Sequence, residues 1–414
     1  MHLQEDGRSF LRVAGLCVMC EVNMELLEQI QNAIDISVEK GEAAGVGVLV
    51  CRYGKEILFS AGGYRDIENK KPIEKDTIYR MYSMSKPVTG AAAVILASEG
   101  AIDLAADVAE YLPEFKVQMT RENGVLRPVK RRMTFKDLLN MTSGTSYPSD
   151  ENTSGIQAGK VFYEIDKRLY TDDPVTTKEF SMLMSKNELA FDPGSRFRYG
   201  TGADIMGALI ERVSGISFGE YLRTRLFEPL GMEDTGFYVP ENKRDRLSKV
   251  YEYSEDGLKE NRTDHLGMRY MREVPAAFES GGAGICSTLE DYAKFASMLI
   301  NDGEYNGKQV MSKAAVRYFT HGGIEKEQRR DLWNGWDWTK GYGYGNLMRV
   351  CEDESLTTLF SSKGEYGWDG WLGTFFSNEP QHGITYLLGV QQIDMSKTGI
   401  LTRRIKNMIM SALT

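Results

Sequence analysis

The chain has 414 residues, 42% hydrophobic and 26% charged, with a formal net charge of −9. That length suits two or three structural units of roughly 150 residues, and the composition excludes a disordered or fibrous chain. Net negative charge argues against a nucleic-acid partner, and the one basic cluster, Arg127 with Lys130, Arg131 and Arg132, has no interleaved aromatics and reads as a solvated face.

Residues 1–23 read unlike the rest and are expected to form a poorly ordered extension. The apolar stretch Val13 to Met19 is interrupted by Gly15, with Glu5 and Asp6 before it and no small-residue cleavage site after it, so it does not read as a signal peptide. The longest apolar run, Gly90 to Ala97, is less than half of the roughly 20 residues needed to span a bilayer. A cytoplasmic protein with no membrane partner is the expectation. Five cysteines, at positions 17, 20, 51, 286 and 351, are an odd and scattered set that does not read as a disulfide framework. Cys17 and Cys20 form a C-x-x-C, but companion zinc ligands are lacking, and no metal site is expected.

Leu27, Ile30, Ile34 and Val38 at helical spacing predict a helix over 24–40, stopped by Gly41, and make Met24 a candidate start of the folded chain. Gly45 to Arg52 and Lys55 to Ala61 predict two strands joined by a Tyr53-Gly54 hairpin turn. A short strand around Thr77 to Met81 leads into a helix from about Ser83 to Ser98, which Gly100 stops. From Asp103 to about Ser312, helical patterns at 135–140, 177–186, 203–214, 218–226 and 289–301 alternate with long loops. The polar stretch Ser149 to Lys160 reads as a loop over a cleft. After Gly341, the runs 342–351, 357–361, 374–377 and 384–390 resemble consecutive antiparallel strands, and 401–413 a closing helix. Together these predict an α/β (α+β) fold: an antiparallel sheet flanked by helices and built from both chain ends. The sheet domain is placed at 24–110 and 313–414 and a mainly helical domain at 111–312, with the active site between the two.

The sharpest local feature is Met81-Tyr82-Ser83-Met84-Ser85-Lys86-Pro87. Ser83 and Lys86 lie about one helical turn apart on one face, within hydrogen-bond reach, whereas Ser85 points elsewhere. Pro87 is harmless only in a first turn, so Ser83 falls at a helix N-terminus, where free N–H groups favour a developing oxyanion. A serine hydroxyl is a weak nucleophile, and a neighbouring lysine kept neutral by burial can activate it.

The run from Ile78 through Lys86 to Asp103-Leu104 resembles the nucleophile segment of the serine β-lactamase and penicillin-binding protein superfamily. It is most similar to the class C β-lactamase branch and the family VIII carboxylesterases. Four more landmarks follow in that family's order. Thr134-Phe135-Lys136-Asp137-Leu138-Leu139-Asn140-Met141-Thr142-Ser143-Gly144 resembles D-L-L-x-H-T-S-G, and Phe191-Asp192-Pro193-Gly194 through Arg198-Tyr199-Gly200-Thr201 resembles F-x-P-G…Y-x-N. Gly281-Gly282-Ala283-Gly284 through Ser287-Thr288 is similar to G-G-x-G-L-x-S-T, and Trp368-Asp369-Gly370 to the W-G-G strand that replaces the lactamase K-T-G in the esterases.

The resemblance implies Ser83 as nucleophile, Lys86 and Tyr199 as its activating pair, and the backbone N–H groups of Ser83 and Trp371 as oxyanion hole. Trp368, Asp369, Gly370 and Thr201 are the expected substrate-binding residues; no metal or cofactor is implied. A buried lysine would have to lower the phenol of Tyr199 for it to act as base near neutrality. All five tryptophans fall between positions 333 and 371, which reads as an aromatic wall of an acyl or aryl pocket. Thr201 replaces the lactamase Asn and Trp368 the lactamase Lys, so β-lactam turnover is expected to be weak or absent. The expected activity is acyl-enzyme hydrolysis of small esters. A D-stereospecific peptidase or amide hydrolase, an acyltransferase, and a non-catalytic penicillin-recognising sensor or scaffold are the alternatives.

Overall fold

The computed structural model describes residues 23–413, so the expectations for the N-terminal extension and for Cys17 and Cys20 lie outside the described residues. Helix α1 (Met24–Glu39) starts where the Asn23 side chain accepts from Leu26 N at 3.2 Å, and ends before Gly41, at φ 66°. Strands β1 (Gly45–Arg52) and β2 (Lys55–Asp66) are joined by Tyr53 and Gly54 at φ 48° and 78°, the paired positive φ of a tight hairpin turn. A short β3 (Lys71–Pro72) follows.

The other half of the sheet comes from the far end of the chain: β4 (Tyr342–Gly345), β5 (Met348–Cys351), β6 (Tyr366–Asp369), β7 (Phe375–Glu379) and β8 (Ile384–Gly389). Eight strands run in the order β4-β5-β6-β7-β8-β1-β2-β3, every pairing antiparallel. The two ends of the chain meet at β1 and β8, in register from Gly47↔Gly389 to Arg52↔Ile384.

Four further helices position the site: α2 (Ser85–Ser98), α3 (Gly202–Ser214), α4 (Leu289–Ile300) and α5 (Thr398–Ser411). Alternation along the strands divides the core in two. Val46, Val48, Val50, Phe375, Tyr386 and Leu388 pack with Leu27 and Ile30 of α1 and Leu401 and Ile405 of α5. Leu49, Cys51, Phe376 and Leu387 face the other way, into the main core with α2 and α4. Covered on both faces, β1 is apolar along nearly its whole length and lacks an exposed polar stripe.

Several expectations are corrected. The stretch read as a loop from Ser149 to Lys160 is mostly helix: Thr153–Arg168, capped by Asn152 and burying Ala158, Val161, Phe162 and Ile165. Its apolar face begins late, which hid the period. The single strand expected over 342–351 is the hairpin of β4 and β5, turned by Asn346 and Leu347 at positive φ, and 357–361 forms no strand. Helices Lys313–Phe319 and Lys326–Gly335 were not anticipated. No helix among the described residues is long and apolar enough to cross a membrane.

Candidate active site

A two-strand ladder fixes the approach to Ser83: Ile78 pairs with Thr288 and Arg80 with Cys286. The chain then passes through Tyr82 at φ 43°, a left-handed conformation that costs a non-glycine residue roughly 1 kcal/mol or more. A short 3-10 turn, Tyr82–Met84, precedes α2, so Ser83 lies two residues before the first residue of the α-helix proper. Ser83 is half-buried, whereas Lys86 beside it is fully buried. Ser85 instead braces the backbone, its wholly buried Oγ accepting from Ile285 N at 3.0 Å.

Lys86 is fully buried, with Nζ 3.0 Å from Ser83 Oγ, 2.8 Å from Gly282 O and 3.1 Å from the Tyr147 hydroxyl. Burial drives its pKa down to about 7, although Asp204 and Asp369 pull it upward. A neutral amine has two N–H donors and one lone pair. Gly282 O and the Tyr147 oxygen take the donors, and the lone pair is left for the Ser83 hydroxyl. Asp204, in the first turn of α3, holds this arrangement from below. It accepts from Gly282 N at 3.0 Å, from Ser280 Oγ and from the Tyr147 hydroxyl at 3.3 Å. Burial raises the Asp204 carboxyl and Lys86 opposes the rise.

Tyr199 reaches Ser83 from the other side. Trp368 Nε1 donates to its hydroxyl at 3.0 Å, and the Ser83 hydroxyl is hydrogen-bonded to it. Burial pushes the phenol well above its ordinary value, and these hydrogen bonds only partly oppose the rise. The expectation that a lysine cation lowers Tyr199 is therefore corrected. The same burial that neutralises Lys86 removes the charge that would have depressed the phenol. Lys86 is the group that titrates near neutrality, and Tyr199 is a neutral phenol hydrogen-bonded to Ser83.

Two aromatic walls flank the serine. Tyr199, Trp368, Trp336 and Tyr344 form one, with ring centroids 5.1 Å apart for Tyr199–Trp336 and 5.0 Å for Tyr344–Trp368. Tyr82, His265 and Trp371 form the other, His265 stacked on Trp371 at 3.9 Å and 18°. Burial pushes His265 down to about 4, leaving it neutral, and its described ring contacts are with Tyr82 and Trp371. Only three of the five tryptophans serve these walls. Trp333 donates to Tyr342 O, and Trp338 packs near Tyr342 and Arg349.

Gly370 comes so close to Met81 O and Thr374 Oγ1 that a Cβ there would collide with both. That contact brings the end of β6, and with it the backbone of Trp371, against the nucleophile segment. Thr201, expected to bind substrate, is wholly buried at the start of α3 with its Oγ1 unpartnered. Asp369, expected to bind substrate, is half-buried at the end of β6. It stands opposite Phe375, on the face under α5, whereas Trp368 stands opposite Phe376, on the site face.

Sequence reasoning missed Tyr147, Asp204 and His265. Tyr147 follows the Thr142-Ser143-Gly144 landmark by three residues and Asp204 follows Tyr199 by five, so both lay beside segments already singled out. His265 belongs to a loop without a pattern. Among the described residues, no group of three or more His, Cys, Asp or Glu could hold a metal ion.

A family model described as Beta-lactamase matches residues 30–393. Protein Rv1367c of Mycobacterium tuberculosis is 29% identical over 361 residues, covering 85% of this chain and 87% of its own. Esterase EstB of Burkholderia gladioli is 25% identical over 400 residues, 93% of this chain and 95% of its own. Among solved structures, EstCE1, a hydrolase with promiscuous acyltransferase activity, superposes at a TM-score of 0.77 and 23% identity, covering 94% of this chain and 99% of that one. Unliganded simvastatin synthase LovD of Aspergillus terreus, as its selenomethionyl derivative, gives 0.76 and 19%, covering 93% and 98%.

Proposed function

The chain belongs to the β-lactamase family, and on that premise we propose that it is a serine hydrolase that forms an acyl-enzyme at Ser83 on small carboxylic esters. The observation that carries this reading is the buried Lys86 amine, 3.0 Å from Ser83 Oγ and held near a pKa of 7. A base of that strength is half deprotonated at neutral pH, where general-base catalysis is most effective.

Lys86 Nζ takes the hydroxyl proton as Ser83 Oγ bonds to the ester carbonyl carbon, and the carbonyl electrons move to oxygen. The backbone N–H groups of Ser83 and Trp371 face that oxyanion; the tight passage of Gly370 past Met81 supports their pairing. Re-forming the carbonyl breaks the bond to the alcohol, whose oxygen receives the proton from Lys86. Water then enters, yields a proton to Lys86 and attacks the acyl carbon. The second collapse returns the proton to Ser83 and frees the acid.

Trp368 offers a neutral N–H where the lactamase pattern has a lysine, which supports little or no β-lactam turnover. Two similar proteins are described as esterase or hydrolase, and one of these also carries acyltransferase activity, which favours a second reading in which an alcohol replaces water in the last step. The three described cysteines, buried and unpaired, support a reducing, cytoplasmic setting.

Intact-mass analysis after treatment with a fluorophosphonate tests the reading. One adduct is expected, mapped to Ser83 and absent from Ser83→Ala, with turnover of p-nitrophenyl acetate lost in parallel. A screen across esters, D-peptides and β-lactams, with and without an added alcohol, separates the substrate classes; no turnover of any ester would refute the esterase reading.

A further inference from the structure

We infer that His265 is a positioning residue: its ring, laid flat on the indole of Trp371, holds the Trp371 N–H in place as an oxyanion donor. This rests on the reading of Ser83 as the acylated nucleophile and of the Ser83 and Trp371 amides as its oxyanion hole.

Trp371 lies in the turn from Gly370 to Gly373 that joins β6 to β7. Gly370 N donates to Thr374 O at 2.7 Å, Gly373 N to Gly370 O at 2.9 Å, and Leu372 O accepts from Gln392 N at 3.0 Å. Those bonds fix the ends and the far side of the turn. The Trp371 N–H has no backbone partner among the described residues, which leaves it able to donate to a developing negative oxygen. Glycines stand one residue before it and two after, the second at φ 93°, and glycine gives a backbone its widest freedom. The indole is therefore the handle that holds this residue. His265 stacks on it with ring centroids 3.9 Å apart at 18°, and Tyr82 meets it edge-on at 5.1 Å and 67°. Tyr82 also lies 5.8 Å from His265, so the three rings form one closed group. The Ser83 N–H belongs to the peptide that follows Tyr82, and the other donor belongs to Trp371 itself. One ring group thus grips both oxyanion amides, and His265 is its one member that carries neither.

The way His265 is delivered points to the same role. His265 and Met268 exchange backbone hydrogen bonds at 3.2 and 3.0 Å, closing a tight turn whose central residues, Leu266 and Gly267, have φ of 52° and 73°. A leucine is poorly suited to positive φ, and such strain persists where the surroundings fix it. Here they do. A Cβ at Gly267 would lie 2.6 Å from Ile165 Cγ2, Gly267 N donates to Asp166 Oδ1 at 3.1 Å, and Arg269 Nε donates to Leu169 O at 3.2 Å. These contacts pin the turn to the helix Thr153–Arg168. From the other side the buried Arg80, three residues before Ser83, donates from Nε to Tyr270 O at 3.0 Å. The turn is braced against both a helix and the nucleophile strand, and what it presents is a flat ring. The imidazole nitrogens have no hydrogen-bond partner among the described residues, so the face of the ring is the part in use.

An oxyanion donor is most effective when it is already aimed before the reaction begins. Loosening Trp371 should therefore weaken tetrahedral species more than the planar ester. The test compares the wild type with His265→Ala, His265→Leu and His265→Phe. It reads kcat and KM for p-nitrophenyl acetate, and the inhibition constant of phenylboronic acid, whose boron becomes tetrahedral on bonding to a serine oxygen. His265→Ala and His265→Leu, which lack a flat ring, should lose about tenfold in both kcat and boronate affinity, with KM changed less than about twofold. His265→Phe, which keeps a flat ring without the nitrogens, should stay within about threefold of the wild type in both. Should His265→Ala fail to fold, His265→Leu, closer in volume, carries the comparison. Wild-type kcat and boronate affinity in the ringless variants would overturn the role of His265. So would a loss in His265→Phe as large as in His265→Leu, which would make the nitrogens the working part, or a rise in KM at constant kcat, which would make His265 a substrate contact. Absence of both boronate inhibition and a Ser83 fluorophosphonate adduct in the wild type would instead overturn the acyl-enzyme reading itself.

Discussion

Replacing Lys86 by Met removes the group whose burial costs the fold most visibly and whose basicity does the proposed chemistry. Burial moves Lys86 from an ordinary value of 10.5 to about 7, about 3.5 units, which at 1.36 kcal/mol each corresponds to a penalty of about 5 kcal/mol on the charged form inside the protein. Below about pH 7 the lysine is protonated both folded and unfolded, and the full penalty is felt. Between about 7 and 10.5 the unfolded chain still holds the proton while the folded chain has released it, so stability rises with pH by about 1.4 kcal/mol per unit. Over pH 7 to 9 the wild type should gain about 2 kcal/mol that Lys86→Met cannot gain. The absolute stability of the variant also includes the stranded Gly282 carbonyl and the lost cation beside Asp204, so the difference in slope is the diagnostic quantity. Urea unfolding of both proteins at about pH 6, 7.5 and 9 measures it. A wild-type stability that does not rise, or that falls, relative to the variant's as pH increases would mean that Lys86 is charged and satisfied in the folded protein, and its assignment as base would fall.

Ser83→Ala should abolish ester turnover and labelling, whereas Ser85→Ala should keep the Ser83 adduct but lose about 1–2 kcal/mol of stability, because Ile285 N is left without its buried acceptor; an adduct on Ser85 would refute the assignment. Lys86→Ala, Tyr199→Phe and the double variant should each lose similar amounts of kcat if the two residues move one proton in one step, and near-additive losses would separate their roles. Short or aryl acyl groups should be preferred by the wild type, and Trp336→Ala, which removes a ring 5.1 Å from Tyr199, should extend turnover to longer acyl chains; a wild-type kcat/KM that climbs steadily to ten or more carbons would contradict the aromatic wall.

Much of the architecture was legible because it rests on local rules. The hairpin at Tyr53-Gly54, the helix stop at Gly41 and the return of strands after Gly341 are all written in spacing and turn residues. Elements whose signal is diluted were lost. The helix Thr153–Arg168 begins with polar residues and keeps an exposed face carrying Ile156 and Tyr163, so its period is blurred at the N-terminal end. The hairpin of β4 and β5 turns through Asn346 and Leu347, and a leucine at positive φ gives no warning in a sequence. Within the site, residues inside ordered landmarks were found and their neighbours were not. Tyr147 and Asp204 matter through contacts across sixty to eighty positions of chain, to Lys86 and Gly282, and no local pattern encodes those contacts.

Which of Lys86 and Tyr199 serves as base on the proposed reading was the least legible point, and the reason lies in Trp368. A second buried cation at that position would hold Tyr199 toward its ionised form and leave Lys86 facing a like charge. An indole N–H at 3.0 Å stabilises the Tyr199 oxygen without bringing charge, so burial dominates and the phenol keeps its proton. With no cation at position 368, the positive group hydrogen-bonded to Ser83 Oγ is Lys86, and burial has brought its affinity for a proton to neutrality. The same neutral indole stands where a charged side chain would otherwise meet a substrate carboxylate. On the proposed reading, the aromatic rings beside Ser83 and the neutral indole at position 368 suit uncharged esters, because that position offers no cation to pair with a substrate carboxylate.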